Sequence, residues 1–182
     1  MKWNFSELLK YKNEALKFEE TLNLEAGLLE NFGDVVLSAE PMHVTGFAQA
    51  DHEDIIIHAH VTGKLVTPST RSAQPVELPL DFDIDEVYIK EADHVDRYEI
   101  EDSVILVADD FVDFDQVVLE YVFLQVPLQV LAEGEADAEM PTGDGWEVIA
   151  EEDFIEKQAD EPVAKNTPMA GLADLFADKT KD

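Results

Sequence analysis

The feature that most constrains the fold is a succession of strand-like segments between Val35 and Lys90. Four runs rich in β-branched and aromatic residues follow one another there, VVLS, MHVTGFAQA, DIIIHAHVTGKLVT and VELPLDFDIDEVYI, with Pro, Gly and Asp between them. Strands joined by short turns predict an antiparallel meander. Gly46 and Gly63 fall inside two of the runs, where glycine indicates a bulge or a sharp bend. We therefore predict a curled sheet or partly open barrel of about six strands.

The clearest helical pattern is VDFDQVVLEYVFLQVP. Apolar residues recur from Phe114 onward at the i, i+3, i+4, i+7 spacing of one helix face. Asp113 and Gln116 resemble a capping box, and Pro127 would end the helix. One long helix over about 113–126 should pack across the sheet, which makes the fold class α+β.

Shorter elements are predicted before the meander. Ser6, followed by Glu7, is typical of a helix start. The run KFEETLNLE alternates as a strand does, and residues 25–34 should form a helical turn ending at Gly33.

The chain divides into four predicted segments. Residues 1–132 form the main α+β domain, and residues 133–161 form an acidic loop. Residues 162–177 form a C-terminal helical segment packed on the same domain, so that short helices stand at both ends. Residues 178–182 are expected to be a disordered tail.

Charge limits the classes of partner. The chain has 42 acidic and 12 basic residues, for a formal net charge of -30. Such a surface repels nucleic-acid phosphates and anionic lipid and attracts basic partners. Plain solubility, or adaptation to salt or acid, would also explain it. The first 17 residues differ, because Lys10, Lys12 and two further lysines stand there against two acids.

Several classes of chemistry are disfavoured. The chain has no cysteine, so it forms no disulfide and has no thiol nucleophile or thiolate metal site. No serine lies in a nucleophile elbow, and no glycine loop could cradle a phosphate. The N-terminal residues contain no long apolar run typical of a signal peptide. We therefore expect a cytoplasmic protein that is not an enzyme and has no cofactor, metal or catalytic residue.

Four of the five histidines fall between residues 43 and 60. His58 and His60 would face the same way on a strand, with acidic residues close by. A His/carboxylate metal site is one interpretation. A solvated strand face is favoured, because no third ligand stands at a fixed spacing.

Arg71 is one of only two arginines, in the segment STRSAQPV just before the last predicted strand. An arginine beside acidic strands most often pairs with local carboxylates and fixes a loop. Binding of a ligand is the alternative.

Three patterns, in order over roughly residues 5–177, resemble the YceD family. Many members carry Cys-x-Arg-Cys-Leu-x-Pro-Val after a strand ending in Gly. Here Arg71, Pro75 and Val76 match, and both cysteine positions are serine. The helix pattern from Asp113 through Glu120 to Leu-x-Val-Pro is similar to a second family segment. TPMAGL near the end resembles the family's Asp-Pro-Arg-Leu, with aspartate and arginine replaced.

The resemblance implies a non-enzymatic factor for 23S ribosomal RNA accumulation or processing and large-subunit assembly. Its partners would be basic ribosomal proteins or a large-subunit precursor particle, with local RNA contact at most and no membrane or DNA. The candidate binding residues are Arg71, Pro75 and Glu120 from the matched patterns, with Lys10 and Lys12 from the N-terminus. If some members bind zinc through the cysteines, this chain cannot do so by that route.

Two alternatives to the ribosomal interpretation stay open. The first is a generic acidic protein-interaction module unrelated to the ribosome. The second is a metal-dependent hydrolase that uses the histidines.

Overall fold

The computed structural model describes residues 1–138, 142–149 and 154–155, which fall in two compact units, Met1–Ala136 and Asp137–Asp182. The first unit is built from strands, three α-helices and a 3₁₀ helix. Its strands are β1 (Lys2–Asn4), β2 (Leu16–Leu22), β3 (Ser38–Ala39), β4 (Met42–Asp51), β5 (Asp54–Pro68), β6 (Pro75–Ile89), β7 (Val104–Leu106) and β8 (Phe111–Asp113). Its helices are α1 (Phe5–Leu8), α2 (Glu25–Phe32), the 3₁₀ helix (Ala92–Arg97) and α3 (Phe114–Leu124).

The centre of this unit is a six-stranded sheet in the order β2-β4-β5-β6-β7, with β3 also paired to β5. Neighbouring strands are antiparallel except β6 and β7, which are parallel. β2 and β7 lie at opposite edges, so the described strands form an open sheet that does not close into a barrel. The predicted α+β class and the antiparallel multi-stranded sheet are confirmed.

The long strands β4, β5 and β6 pair without a bulge, because their register is unbroken from end to end. Of the two predicted alternatives, the bulge at Gly46 and Gly63 was therefore wrong. A Cβ atom at Gly46 would overlap the carbonyl oxygen of His58 and the Phe18 ring, and one at Gly63 would overlap Met42. These glycines permit close packing between neighbouring strands.

The core lies on one face of the sheet. Alternate residues of β4, β5 and β6, such as Val44, Ile57 and Ile84, are fully buried there. α3 adds Phe114 and Val118, which are also fully buried. Burying each such side chain contributes about 1.5–3 kcal/mol, so this face supplies most of the driving force for folding.

A separate antiparallel pair, β1 with β8, brings the N-terminal residues to the start of α3. Lys2 stands opposite Asp113 in this pair, and the side chains form an ion pair at 3.2 Å. Trp3 packs against Phe18 and Phe114, with ring centroids 5.0 and 5.6 Å away. The N-terminal segment is therefore fixed to residues far along the chain.

The helices differ from prediction at their starts. α3 has 11 residues, so the described chain contains no single long helix over 113–126. Its first predicted residue belongs to β8, and the Asp113 side chain makes no capping hydrogen bond. Gln116 donates to Glu120 at 2.8 Å instead of closing a capping box. α1 is capped by the Asn4 side chain and not by the predicted Ser6. The helical turn ending at Gly33 is confirmed as α2.

The second unit contains a short antiparallel hairpin of β9 (Thr142–Gly143) and β10 (Trp146–Glu147). Gly145, in the turn, has a φ of +81°, which glycine adopts at no steric cost. The helix predicted within 162–177 and the tail at 178–182 lie outside the described residues.

Candidate functional site

The turn 69–74, which joins β5 to β6, is built around Ser69. Its buried hydroxyl accepts hydrogen bonds from the backbone N–H of Arg71 at 3.1 Å and of Ser72 at 3.3 Å. The same hydroxyl donates to the Glu135 carboxylate, and the Arg71 guanidinium donates to the Glu135 carbonyl oxygen. Arg71 thus ties two distant segments together, in the manner of a loop-fixing residue.

The two serines of this turn act together on one carboxylate. Hydrogen bonds from the hydroxyls of Ser69 and Ser72, with a backbone N–H from Ala132, lower the pKa of the Glu135 carboxyl. Both serines occupy the positions where the resembling family segment has cysteines. In this chain, two hydroxyls that hydrogen-bond the Glu135 carboxylate therefore replace the two thiols of that family segment.

An apolar groove of about 650 Å³ lies beside the turn. The C-terminal end of α3 and the residues after it form one wall, including Leu124, which is 68% exposed, and the fully exposed Leu128. Pro68 and Val35 also line the groove. Asp34 is the one charged residue in the lining that the structure describes. The groove suits an apolar side chain next to a positive charge.

Pro75 is the first residue of β6 and stands opposite Pro68 of β5. The backbone N–H of Val87 donates to Ser103, and the carbonyl of Ile89 accepts from Val107. Odd-numbered residues of β6 therefore direct their backbone polar groups away from β5, because these groups alternate along a strand. Pro75 follows this rule, so its missing N–H costs no bond in the β5 ladder.

Lys10 and Lys12 lie at the other end of the sheet. The backbone N–H of Ala50 donates to the carbonyl of Tyr11 at 3.0 Å, which holds this segment against the turn between β4 and β5. Lys12 lines a cavity of about 510 Å³ together with Arg97. Lys10 and Lys12 make no ion pair among the residues that the structure describes. Both side chains are exposed.

A buried polar cluster underlies that cavity, and sequence reasoning missed it. Asp54 is 1% exposed and accepts hydrogen bonds from His94 at 2.6 Å and from the Tyr98 hydroxyl at 2.9 Å. Arg97 approaches the same carboxylate at 3.4 Å. Burial and the Asp54 carboxylate raise the pKa of Tyr98 to about 12. The partners of Asp54 lie 40 and 44 residues further along the chain, so no local pattern indicated the cluster.

The histidines predicted to share a strand face do so on the outer face of the sheet. His58 Nδ1 contacts the Asp85 carboxylate, and His60 Nδ1 lies 2.8 Å from Asp83. His43 lies 3.5 Å from Glu19. His58 and His60 thus contact β6, and His43 contacts β2. No group of three or more metal-ligating side chains is found in the described part of the chain.

Glu120 lies exposed on α3, near a buried carboxyl on β6. Glu86 is 4% exposed, and burial raises the pKa of its carboxyl. The Tyr88 hydroxyl donates to Glu86, and Tyr121 also hydrogen-bonds with it. Glu120 adds like charge nearby, which also raises this pKa. Glu86 and Tyr121 line a pocket of about 560 Å³.

Comparison with known proteins decides the family. The model of the large ribosomal RNA subunit accumulation protein YceD matches residues 57–176. The chain belongs to the YceD family. It is also similar to the uncharacterized protein YlbN of Bacillus subtilis (strain 168), with 28% identity over 155 residues, 84% of this chain and 87% of YlbN. No solved structure gives a significant match.

The candidate residues fall partly inside and partly outside the region that matches the YceD family model. Arg71, Pro75 and Glu120 lie within 57–176, whereas Lys10 and Lys12 precede it. Arg71 follows the C-terminal end of β5, whereas Lys10 and Lys12 flank Tyr11, whose carbonyl hydrogen-bonds to Ala50 beside the N-terminal end of β5. Glu120 lies near Glu86, which pairs with Ile57 close to that N-terminal end. In the described ranges, no helix is long and apolar enough to span a membrane.

Proposed function

We propose that the chain is a non-enzymatic cytoplasmic factor that supports accumulation of large-subunit ribosomal RNA. It would act by contacting basic ribosomal proteins or a large-subunit precursor particle. Membership of the YceD family supports the ribosomal role. The observation that carries the mode of contact is the row of carboxylates along the outer face of β6.

The carboxylates of Asp81, Asp83 and Asp85 project from the outer face of β6, and each side chain is more than half exposed. The described side chains that contact this row are those of His58 and His60. The chain has a formal net charge of -30, which adds to the negative potential at this row. The row would therefore attract Lys- and Arg-rich protein segments and repel phosphates. Direct RNA contact would be local, at Lys10 and Lys12.

The test is retention of ribosomal components from lysate by the immobilised protein across a salt series. Ribosomal proteins or precursor particles should be retained at low salt and released as salt rises. The triple variant Asp81→Asn, Asp83→Asn and Asp85→Asn should lose retention. Absence of any ribosomal component at low salt would refute the proposal, and stronger binding of free 23S fragments than of ribosomal proteins would refute its polarity.

A matched triple variant separates the outer face from net charge. Asp93→Asn, Asp96→Asn and Glu99→Gln remove the same charge from exposed positions at and beside the 3₁₀ helix. Retention by this control should equal that of the wild type. Equal losses in both triple variants would show that total charge, and not the outer face, governs binding.

Depletion followed by precursor-rRNA profiling tests the biological role. A large-subunit defect is expected when the protein is absent. A generic acidic interaction module with a partner outside the ribosome predicts normal rRNA profiles, and that result would refute the ribosomal role.

A further inference from the structure

The outer edge of β6 is open over most of its length. β5 pairs with residues 75–88 of β6 on one side, whereas β7 pairs with only Val87–Ile89 on the other. No other strand in the described residues pairs with this edge. Unpaired backbone groups on an edge are a template for an additional strand.

The two halves of this edge differ in whether their outward-facing residues have backbone N–H groups. Odd-numbered residues direct their backbone groups outward, as the bonds of Val87 and Ile89 establish. In the first half these positions include Pro75 and Pro79, which have no N–H and block strand addition. In the second half they are Asp81, Asp83 and Asp85, each with an N–H and a carbonyl.

We infer that the edge Leu80–Glu86 of β6 binds an extended basic segment of a partner protein as an added strand. The inference rests on the proposed function for the source of a basic partner, and it assigns the place and geometry of contact. The carboxylates of Asp81, Asp83 and Asp85 project from the same three residues that offer the backbone bonds. One docked strand would satisfy both sets of groups.

The side chains specify an alternating partner. On the outer face, its Lys or Arg side chains would lie beside the three aspartates, where opposite charges on neighbouring strands are favourable. On the other face, its apolar side chains would lie beside Leu80 and the half-buried Phe82, which belong to the core layer. The bound segment should therefore alternate basic and apolar residues.

A second copy of the chain does not suit this edge. Antiparallel pairing of two β6 edges about Asp83 would place Asp83 opposite its copy and Asp81 opposite Asp85. Like charges directly opposite one another destabilise a strand pair. The edge therefore discriminates against self-association and in favour of a basic strand.

The test measures binding of a synthetic heptapeptide of alternating lysine and valine by fluorescence anisotropy. Asp83→Pro removes one outward N–H and leaves the β5 ladder intact, and Asp83→Ala removes the same carboxylate but keeps the N–H. Asp83→Pro should weaken binding by about tenfold or more, the usual scale for a lost hydrogen bond to a charged or well-aligned site. Asp83→Ala should weaken it by clearly less. Equal losses would overturn the strand-addition geometry.

Glu77→Pro is the matched control for proline itself. Glu77 is another outward position on β6, in the half already interrupted by Pro75 and Pro79. This variant should bind the peptide as the wild type does. If Asp83→Pro also binds as Glu77→Pro does, the inference is wrong.

A second arm does not depend on folding of the variants. Wild-type protein is titrated with the parent peptide and with two N-methylated forms of it. One form is methylated at the odd-numbered residues and the other at the even-numbered residues. One methylated form should bind at least about tenfold more weakly than the parent peptide, because strand addition uses the N–H groups of alternate residues. Equal binding of all three peptides would overturn the inference. The retention assay separates this inference from the proposed function. If wild type and Asp83→Pro retain ribosomal proteins equally, strand addition at β6 is refuted and the proposed function stands. If wild type retains none, the proposed function itself is refuted.

Discussion

Replacing Asp54 by alanine tests how much the buried cluster contributes to stability. The carboxylate joins the start of β5 to the 3₁₀ helix 40 residues later, through His94 at 2.6 Å. It also accepts a hydrogen bond from Tyr98 at 2.9 Å, while Arg97 approaches at 3.4 Å. Asp54→Ala removes the shared acceptor and leaves every partner in place.

The expected loss follows from the burial of each partner. His94 is 4% exposed, and a buried donor left without an acceptor costs about 1–3 kcal/mol. Loss of the Tyr98 hydrogen bond adds about 1 kcal/mol. The Arg97 side chain is 47% exposed, so its contribution is small. The free energy of unfolding should fall by roughly 2–4 kcal/mol, which lowers the Tm of a chain this size by about 5–15 °C.

Urea unfolding followed by circular dichroism, with a thermal scan, measures this loss. Asp51→Ala is the control, because Asp51 stands opposite Asp54 in the β4–β5 pair but is exposed. That variant should change the free energy of unfolding by less than about 0.5 kcal/mol. Equal effects of the two substitutions would show that the buried cluster contributes nothing beyond a surface acid.

Three further substitutions test other features of the fold. Burial raises the pKa of Glu86, so its stabilising contribution is complete below the unfolded pKa near 4.5 and is lost as pH rises through the folded pKa. Glu86→Gln should remove that loss, and urea unfolding over a pH series should show a flatter profile than wild type. Ala73 has a φ of +60°, so Ala73→Gly should raise the free energy of unfolding by about 1 kcal/mol, visible as a higher urea midpoint. Gly46→Ala should lower it by about 1–3 kcal/mol through overlap with β5, and an unchanged midpoint would contradict the close packing at Gly46.

The meander could be predicted from sequence because its signals are local. β-branched residues, alternation and intervening turns define β4, β5 and β6 without reference to distant parts of the chain. The helix start could not be placed in this way. Residues Phe111–Asp113 form β8 because they pair with Lys2–Asn4, and this long-range pairing overrides the local helical pattern.

The candidate site was predicted less completely. An acid in a charged turn, such as Asp54, is normally solvated, and its partners lie 40 residues further on, so nothing local indicated its burial. The open edge left a signal that could have been used. Pro75 and Pro79 lie two strand periods apart, and prolines within a long strand are confined to edges.

The pairing of β1 with β8 has a consequence for the order of folding. Lys2 meets its partner Asp113 only across 111 positions of sequence, whereas β4, β5 and β6 each pair with the next strand along the chain. Local contacts form faster than distant ones, and a nascent chain emerges from its N-terminus. During synthesis the meander can therefore assemble before residues 111–113, the pairing partners of β1, have been made. The strand β1 is thus synthesised first and paired last.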